Sequence, residues 1–406
     1  MTHTALLPTR SVPPHQLAWL RTEVADWTSR GIITPDQAAR ICETYRSDQH
    51  ARSSIGRVLL SVGGGFVGIG LIWLVAANLE QLSPTARFVA VTALWLVFLA
   101  SGEVLAARRS SPALVGAVRL LAALGTGAVV FQAAQSLQVP AFEPRLLGLW
   151  GAGALLHGYL VRAHVPFVVG LLAGLGWWFA QPLWDEQSGL TVVVLLGAAS
   201  VLAAGLAVVH DGRLPRFART WRTVAGGMAL LALFAAAVPD IGSDGVRWTP
   251  WLVVTLAAAG LAALAALLVG NGVRRLEPVG ALAVLAAATL LGLWSTGSDV
   301  SDVDASDWLH AAVSVGAYVV LAVALVALGT VREHSTLTWM AMSGLVVFTT
   351  FQSFAVFAPI VTGAWLFVVL GTVFLGSGFI ADRGRRELVQ ALDSTATDVD
   401  SDGAPR

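Results

Sequence analysis

Residues 189–210 read GLTVVVLLGAASVLAAGLAVVH, an uninterrupted stretch without Asp, Glu, Lys or Arg. A helix needs roughly 20 apolar residues to cross a hydrocarbon core of about 30 Å. A helical backbone also satisfies its own hydrogen bonds, which is the condition for crossing lipid without water. The stretch therefore predicts a membrane-spanning helix.

Twelve apolar stretches of similar length run from Ile55 to Ala381. The composition agrees, because 56% of the residues are hydrophobic and only 12% are charged, whereas soluble domains carry about 25% charged residues. We predict an all-α fold, a polytopic transmembrane helical bundle of about 12 spans; four stretches are short, which leaves ten or eleven spans as alternatives. The predicted spans are 55–77, 84–107, 113–135, 145–161, 164–181, 189–210, 221–238, 249–270, 277–295, 307–330, 336–356 and 359–381.

Arginine falls mainly in alternate gaps between these stretches, and the other gaps are acidic. Because cytoplasmic loops carry an excess of Lys and Arg, this alternation predicts that both termini are cytoplasmic. The longest cytoplasmic loop is predicted at 211–220. The pattern favours a multi-pass protein of a cytoplasmic (plasma) membrane, with the lipid bilayer as its main partner. The basic gaps contain Arg108, Arg109, Arg162, Arg213, Arg216, Arg219, Arg222, Arg274, Arg275, Arg332, Arg383, Arg385 and Arg386.

The chain is predicted to have three parts. Residues 1–54 precede the first span and form a cytoplasmic helical hairpin, whose second helix starts at Thr34 with Pro35 and Gln37 in capping-box positions. Residues 55–381 form the transmembrane bundle. Residues 382–406 form a cytoplasmic tail, predicted to be disordered from its polar composition.

Several function classes receive no support from the sequence. The only cysteine is Cys42, and no HExxH or paired-aspartate motif is present, so no metal site, cofactor or enzymatic activity is predicted. The net charge is zero, which does not suggest nucleic acid as a partner. No carboxylate lies near the centre of a span, since Glu103, Glu277 and Asp307 are all near span ends. This lowers the support for an ion-coupled pump.

Polar side chains inside predicted spans are the candidates for ligand or pathway residues, because burying them in lipid is costly. They are Arg119, Gln132, Gln135, His157 and Gln352. Each also has a structural interpretation: the arginine can reach the membrane surface, the glutamines can join neighbouring helices, and the histidine can be packed.

Glycines in the first span predict close helix packing. Gly63, Gly64, Gly65 and Gly68 lie near one another, and the pair at 64 and 68 forms a GxxxG motif. Small residues at this spacing let a second helix approach closely. A flexible gating hinge is the alternative.

The segment between the first two spans predicts an outer hairpin. Asn78 can cap the end of the first span, and Ser83 can cap the second with Pro84 at its first position. Arg87 is placed to pair with Glu80. A structural turn is favoured, and the mouth of an extracytoplasmic ligand site is the alternative.

Four segments resemble a known family: GIITPDQAARICETY, VGGGFVGIGLIWLVAANLEQLSPTARF, GTGAVVFQAAQ and LGLWGAGALLHGYL. In this order they resemble the bacterial predicted membrane proteins of domain of unknown function 2157, with Gln135 and Trp150 on the family's glutamine and tryptophan. The likeness covers roughly residues 15–180. It implies a membrane protein and no particular activity.

Two hypotheses of function remain. In the first, the protein transports or binds a small or lipid-like molecule. In the second, it is a non-transporting scaffold or sensor that contacts a cytoplasmic protein partner through residues 1–54; an intramembrane enzyme is a distant third. The transport hypothesis expects the glutamines and His157 to converge on one enclosed cavity. The oligomeric state is left open.

Overall fold

The computed structural model describes residues 10–47 except 13, 83–184 except 139, 141 and 142, 188–294, and 305–352. It also describes isolated positions at 63, 66, 70, 368, 371, 372, 375, 376 and 383. The predicted first and twelfth spans and the predicted C-terminal tail therefore lie almost entirely outside the described residues.

The described residues are helical apart from two three-residue strands, β1 (Arg10–Val12) and β2 (Tyr45–Ser47), which pair in parallel. The helices are α1 (Pro14–Ser29), α2 (Pro35–Thr44), α3 (Pro84–Ala107), α4 (Pro112–Ser136), α5 (Pro144–Leu160), α6 (His164–Trp184), α7 (Gly189–His210), α8 (Pro215–Ala236), α9 (Pro250–Val269), α10 (Val273–Leu293), α11 (Ala305–Val331) and α12 (Ser335–Gln352).

Most of these helices start with the same local device, a proline in the first turn, and several add a capping hydroxyl. Ser83, Ser111 and Thr249 each accept a hydrogen bond from the backbone N–H three residues later, and each precedes a proline. The hydroxyl satisfies an N–H that would otherwise lack a partner, while proline has no N–H to satisfy. The predicted capping box at Thr34 and Gln37 is also present.

The chain divides into an N-terminal unit, Met1–Trp177, and a C-terminal unit, Trp178–Arg406. In the N-terminal unit α3 packs along α4, and α4 packs on α5. Two indoles cross these contacts: Trp95 Nε1 donates to Thr126 Oγ1 at 3.1 Å, and Trp150 Nε1 donates to the Ala123 carbonyl at 2.9 Å. These bonds give the buried nitrogens partners and link neighbouring helices.

Helices α5 and α6 approach through glycine in the N-terminal unit. A Cβ on Gly158 would lie 2.6 Å from the backbone nitrogen of Phe167, and a Cβ on Gly151 would lie 2.8 Å from that of Gly174. Only glycine allows backbones to come this close, as at small-residue helix contacts in membranes.

The C-terminal unit is built around α7, which packs against α8, α9 and α10 and is mostly buried. Small residues line its contacts, including Ala198 and Ala204, and the Ser200 hydroxyl donates to the Ala225 carbonyl at 2.9 Å. Helices α11 and α12 pack on each other, with Tyr318 stacked on Phe348 at a ring separation of 3.9 Å.

Among the described residues, six helices are long and apolar enough to cross a membrane: α3, α4, α7, α9, α10 and α11. The bounds of α3 and α7 equal the predicted spans. Two helices begin before their predicted spans: α8 begins at Pro215 and its span was predicted from 221, and α10 begins at Val273 and its span was predicted from 277. The predicted loop at 211–220 is therefore only four residues long, since hydropathy locates the apolar part of a helix and not its polar first turns.

Candidate functional site

Five charged side chains meet in the C-terminal unit, where the ends of four helices come together. Asp211 follows α7, Arg222 lies on α8, Arg274 and Glu277 lie on α10, and Arg332 follows α11. We call these five residues the charged network. Glu277 and Arg222 have exposed side-chain fractions of only 3% and 5%. Burial of this kind requires paired charges, because an isolated ion in a low-dielectric interior is very unfavourable.

Arg222 is the centre of the charged network. Its Nε donates to Glu277 Oε2 at 2.8 Å, and its Nη2 lies 2.8 Å from Asp211 Oδ1. Arg274 Nε lies 2.9 Å from Asp211 Oδ2, and Arg332 contacts both carboxylates. Each of the four carboxylate oxygens therefore has a guanidinium partner.

The donors of the charged network are not all used. Among the described residues, Arg222 Nη2 and Arg332 Nε have no hydrogen-bond acceptor, although Nη2 is close enough to Asp211 for an ion pair. Three arginines face two carboxylates, so the charged network carries a net charge of +1. After the ion pairs with Asp211 and Glu277 are formed, the groups of the charged network that can still form hydrogen bonds are N–H donors of its arginines.

A cavity of about 590 Å³ lies beside the charged network in the same unit. Arg222 and Glu277 form part of its wall, and nearly all the rest of the wall is apolar. We call this space the C-terminal cavity. Its lining residues come from α7, α8, α10 and α11, and include Ala225, Ala229, Leu233, Val273, Gly280, Ala287, Ala317, Leu325 and Val331.

The lining residues give the length of the C-terminal cavity. At 1.5 Å per residue, the lining runs about 16 Å along α8 from Arg222 to Leu233, and about 21 Å along α10 from Val273 to Ala287. One end is therefore charged, and the space beyond it is an apolar channel about as long as half of a hydrocarbon core of about 30 Å.

His334 lies beyond α11, outside the membrane-spanning helices, and is buried. Burial lowers the pKa of its imidazole, and the positive charges of Arg219 and Arg222 lower it further. Its Nδ1 has no hydrogen-bond partner within the part of the chain that the structure describes. The neutral imidazole is the form that this environment favours.

A second ionic cluster lies in the N-terminal unit and contains two of the predicted residues. Arg119 on α4 forms a bidentate pair with Glu103 on α3, at 2.9 Å from Nε and 2.6 Å from Nη2. His157 on α5 is buried, and its Nε2 lies 3.6 Å from Glu103 Oε1. Glu103 lies near the end of a predicted span, so its position in the sequence does not single it out as a site residue. The contact gives Arg119 a partner within the protein.

The predicted glutamines do not join this cluster. Gln132 is half-buried and Gln135 is exposed, and Gln132 lies about 20 Å along α4 from Arg119 at 1.5 Å per residue. Gln352 belongs to the C-terminal unit and is 1% exposed, and neither polar atom of its amide has a partner among the described residues. None of the five predicted ligand or pathway residues lines the C-terminal cavity.

The other predicted site residues are only partly described. In the outer hairpin, Ser83 caps α3 and Pro84 opens it, as predicted. Asn78 and Glu80 lie outside the described residues, so the predicted pair with Arg87 stays a prediction. Of the packing glycines, Gly64, Gly65 and Gly68 are likewise outside, and Gly63 is exposed with no described atom within 4 Å of an added Cβ.

The charged network was missed from the sequence, because its arginines were counted as loop charges that orient the protein. One signal could have found it. Pro215 is a typical first residue of a helix, and a helix starting there carries Arg222 into its second turn. Among the described residues, no group of three His, Cys, Asp or Glu side chains is placed to hold a metal ion.

Comparison with known proteins adds one finding. No curated protein and no solved structure matches the chain. Residues 25–167 match the family described as Predicted membrane protein (DUF2157), which confirms the resemblance carried by the segments around Thr34, Ser83 and Trp150. This part of the chain, which holds the Glu103, Arg119 and His157 cluster, is thus similar to a family of predicted membrane proteins.

Proposed function

We propose that this membrane protein binds a lipid-like molecule with a single hydrocarbon chain in the C-terminal cavity. The observation that carries the proposal is the lining of that cavity, which is almost entirely apolar and has Arg222 and Glu277 of the charged network near one end. Its volume of about 590 Å³ is within the range of small-molecule sites, roughly 300 to 1,000 Å³. A hydrocarbon chain would fill the channel, and a polar head would lie at Arg222.

The length of the C-terminal cavity favours a lipid over a compact solute. Beyond Arg222 and Glu277 the apolar lining extends about 15 to 16 Å, which matches the chain region of one leaflet, half of a hydrocarbon core of about 30 Å. A small polar solute would find few polar wall groups, namely Arg222, Glu277 and a Ser200 hydroxyl that already donates to the Ala225 carbonyl, and would leave most of the cavity unfilled. Movement of the bound molecule between leaflets, as in a transporter, is the wider form of the proposal, and no enzymatic step is part of it.

We propose a bundle of about 12 spans in a bacterial cytoplasmic membrane with both termini in the cytoplasm. The alternating arginines support this orientation, and it puts the charged network on the cytoplasmic side. The single native cysteine makes the test simple. In a Cys42→Ser background, Arg213→Cys should react with a maleimide only after the membrane is opened, whereas Asp244→Cys should react in intact cells. The opposite labelling would overturn the orientation.

Filling the C-terminal cavity tests the binding proposal directly. Gly280 lies in its wall, and an added Cβ there meets nothing within 4 Å, so Gly280→Phe should occupy the channel while the helices stay in place. Gly260→Phe is the matched control, because its Cβ also points into open space but it does not line the channel.

The assay uses a single-chain lipid with a photoactivatable diazirine in its chain, added to membranes that contain each protein. Peptide mass spectrometry should find adducts concentrated in 273–287 and 317–331 of the wild-type chain. Gly280→Phe should lose most of these adducts and Gly260→Phe should keep them. An even spread of adducts over all helices, equal in the three proteins, would contradict lipid binding in the C-terminal cavity.

The scaffold or sensor hypothesis keeps one specific observation in its favour. Trp19 on α1 and Ile32, in the turn before α2, are each 60% exposed, and both are large apolar side chains. Exposed aromatic residues are common at protein interfaces. Under this second candidate function, deleting residues 1–50 should abolish capture of a cytoplasmic protein partner, and unchanged capture would exclude it.

A further inference from the structure

We propose that the charged network recognises a phosphate headgroup with a net negative charge, so that the ligand of the C-terminal cavity is an anionic lipid and not a zwitterionic one. The inference rests on the proposed function, because it assumes that the hydrocarbon chain lies in the channel. It adds the chemical class of the other end of the molecule.

The donor and acceptor inventory of the charged network carries this step. Asp211 and Glu277 have no oxygen without a guanidinium partner, so they offer little to a cationic or hydrogen-bond-donating head. Arg332 Nε has no acceptor among the described residues, and the two N–H groups of Arg222 Nη2 have one close contact between them, the ion pair with Asp211 Oδ1. A phosphate oxygen supplies the missing acceptor, and guanidinium groups bind phosphate in a matched geometry.

The location of Arg222 links the charged network to the channel. Its side chain is 5% exposed and lines the cavity, so a headgroup that reaches it leaves bulk water. Electrostatic interactions are stronger there than at an open surface, because less water screens them. The excess positive charge therefore acts on a head held at the end of the channel.

The membrane environment makes the headgroup the decisive part of the ligand. Lipid tails are as apolar as the leucine and alanine side chains of a helix, so moving a chain from the bilayer into the channel provides packing and little hydrophobic gain. Selectivity among lipids must then come from the polar end. Arginine and phosphate are the pair that the charged network can form.

The test compares single-chain lipids that share one acyl chain and differ only in the head. Lysophosphatidic acid, lysophosphatidylcholine and monoacylglycerol compete with the anionic diazirine probe for the full-length protein in nanodiscs. We expect lysophosphatidic acid to displace the probe at a concentration about tenfold lower than the other two, the effect of one charge-assisted hydrogen bond. Raising the salt concentration should weaken only the anionic competitor.

A variant links the preference to the charged network. Arg274→Gln removes one of the two guanidinium partners of Asp211 Oδ2 and lowers the net charge from +1 to zero, and Arg274 is exposed enough for the fold to tolerate the change. Arg275→Gln is the control, because the adjacent side chain donates to the Gly270 carbonyl outside the charged network. Arg274→Gln should lose most of the anionic preference, and Arg275→Gln should retain it.

The outcomes separate the two levels of the proposal. If all three lipids compete equally, or both variants behave alike, the headgroup inference is wrong and the binding of a lipid chain stands. If inorganic phosphate competes as well as lysophosphatidic acid, the site takes free phosphate and the lipid source is wrong. If no lipid gives saturable labelling of the cavity, both proposals fail.

Discussion

Replacing Glu277 with Gln should be one of the most destabilising single changes in the C-terminal unit. The change keeps the shape of the side chain and removes a negative charge that is 3% exposed and contacts both Arg222 and Arg332. Breaking a buried ion pair by removing one partner costs about 3 to 5 kcal/mol. Asp211 remains to compensate both arginines, so we take the lower end, about 3 kcal/mol.

This loss converts to a measurable shift. For a unit of this size, 1 kcal/mol corresponds to about 2 to 4 °C in the apparent melting temperature, so Glu277→Gln should unfold about 6 to 12 °C below the wild type. The assay is intrinsic tryptophan fluorescence during heating of the purified protein in a mild detergent, at a fixed scan rate. Unfolding of membrane proteins is commonly irreversible, which makes the comparison between variants more informative than the absolute value.

The matched control is Glu333→Gln, the same chemical change at an exposed residue of the same unit. It should shift the apparent melting temperature by no more than about 2 °C, as surface substitutions do. A double variant, Arg222→Gln with Glu277→Gln, should cost less than the sum of its single changes, because the two groups interact. Equal apparent melting temperatures of Glu277→Gln and Glu333→Gln would refute a buried charged network. Full additivity of the losses caused by Arg222→Gln and Glu277→Gln would refute it as well.

Two further predictions concern packing and pH. Gly158→Leu should weaken the contact of α5 with α6 by about 1 to 3 kcal/mol, because any Cβ there lies 2.6 Å from the Phe167 nitrogen. Gly174→Leu is the control, since a Cβ at that position has open space around it. Equal apparent melting temperatures of the two variants would contradict this packing. His334 has a lowered pKa in the folded protein, so the unfolded chain binds its proton more readily, and stability should fall as the pH drops below the ordinary value of 6.5. His334→Gln should show a smaller loss of melting temperature between pH 7.5 and 5.5, and an unchanged loss would mean that other groups account for it.

Features that depend on neighbouring residues could be predicted from the sequence. The bounds of α3 and α7 follow from continuous apolar runs, and the start of α3 follows from Ser83 with Pro84. In each case the free energy that stabilises the helix comes from residues close together in the sequence. Transfer of side chains into lipid and capping of the first turn both involve residues only a few positions apart.

Features that depend on tertiary contacts could not be predicted. Arg222 and Glu277 are 55 positions apart, and nothing in either segment alone distinguishes a buried arginine from one that marks the cytoplasmic side. The same holds for Arg119, whose carboxylate partner Glu103 lies on the preceding helix. Hydropathy also starts a span at its apolar part, so the predicted spans that begin at 221 and 277 leave out the first turns of α8 and α10, including Arg274.

The long sequence separation within the charged network has a consequence for the order of synthesis. Asp211 precedes Arg222 by less than one helix, whereas Glu277 follows 55 residues later. At a translation rate of about 5 to 20 residues per second, that interval lasts about 3 to 11 s. During this time the nascent α8 carries its arginine toward the membrane with Asp211 as its only partner from the charged network, and Arg332 completes the set only after α11 has been made. Arg222, which in the folded protein lies in the wall of the C-terminal cavity, is therefore only partly neutralised until the ribosome has produced α10.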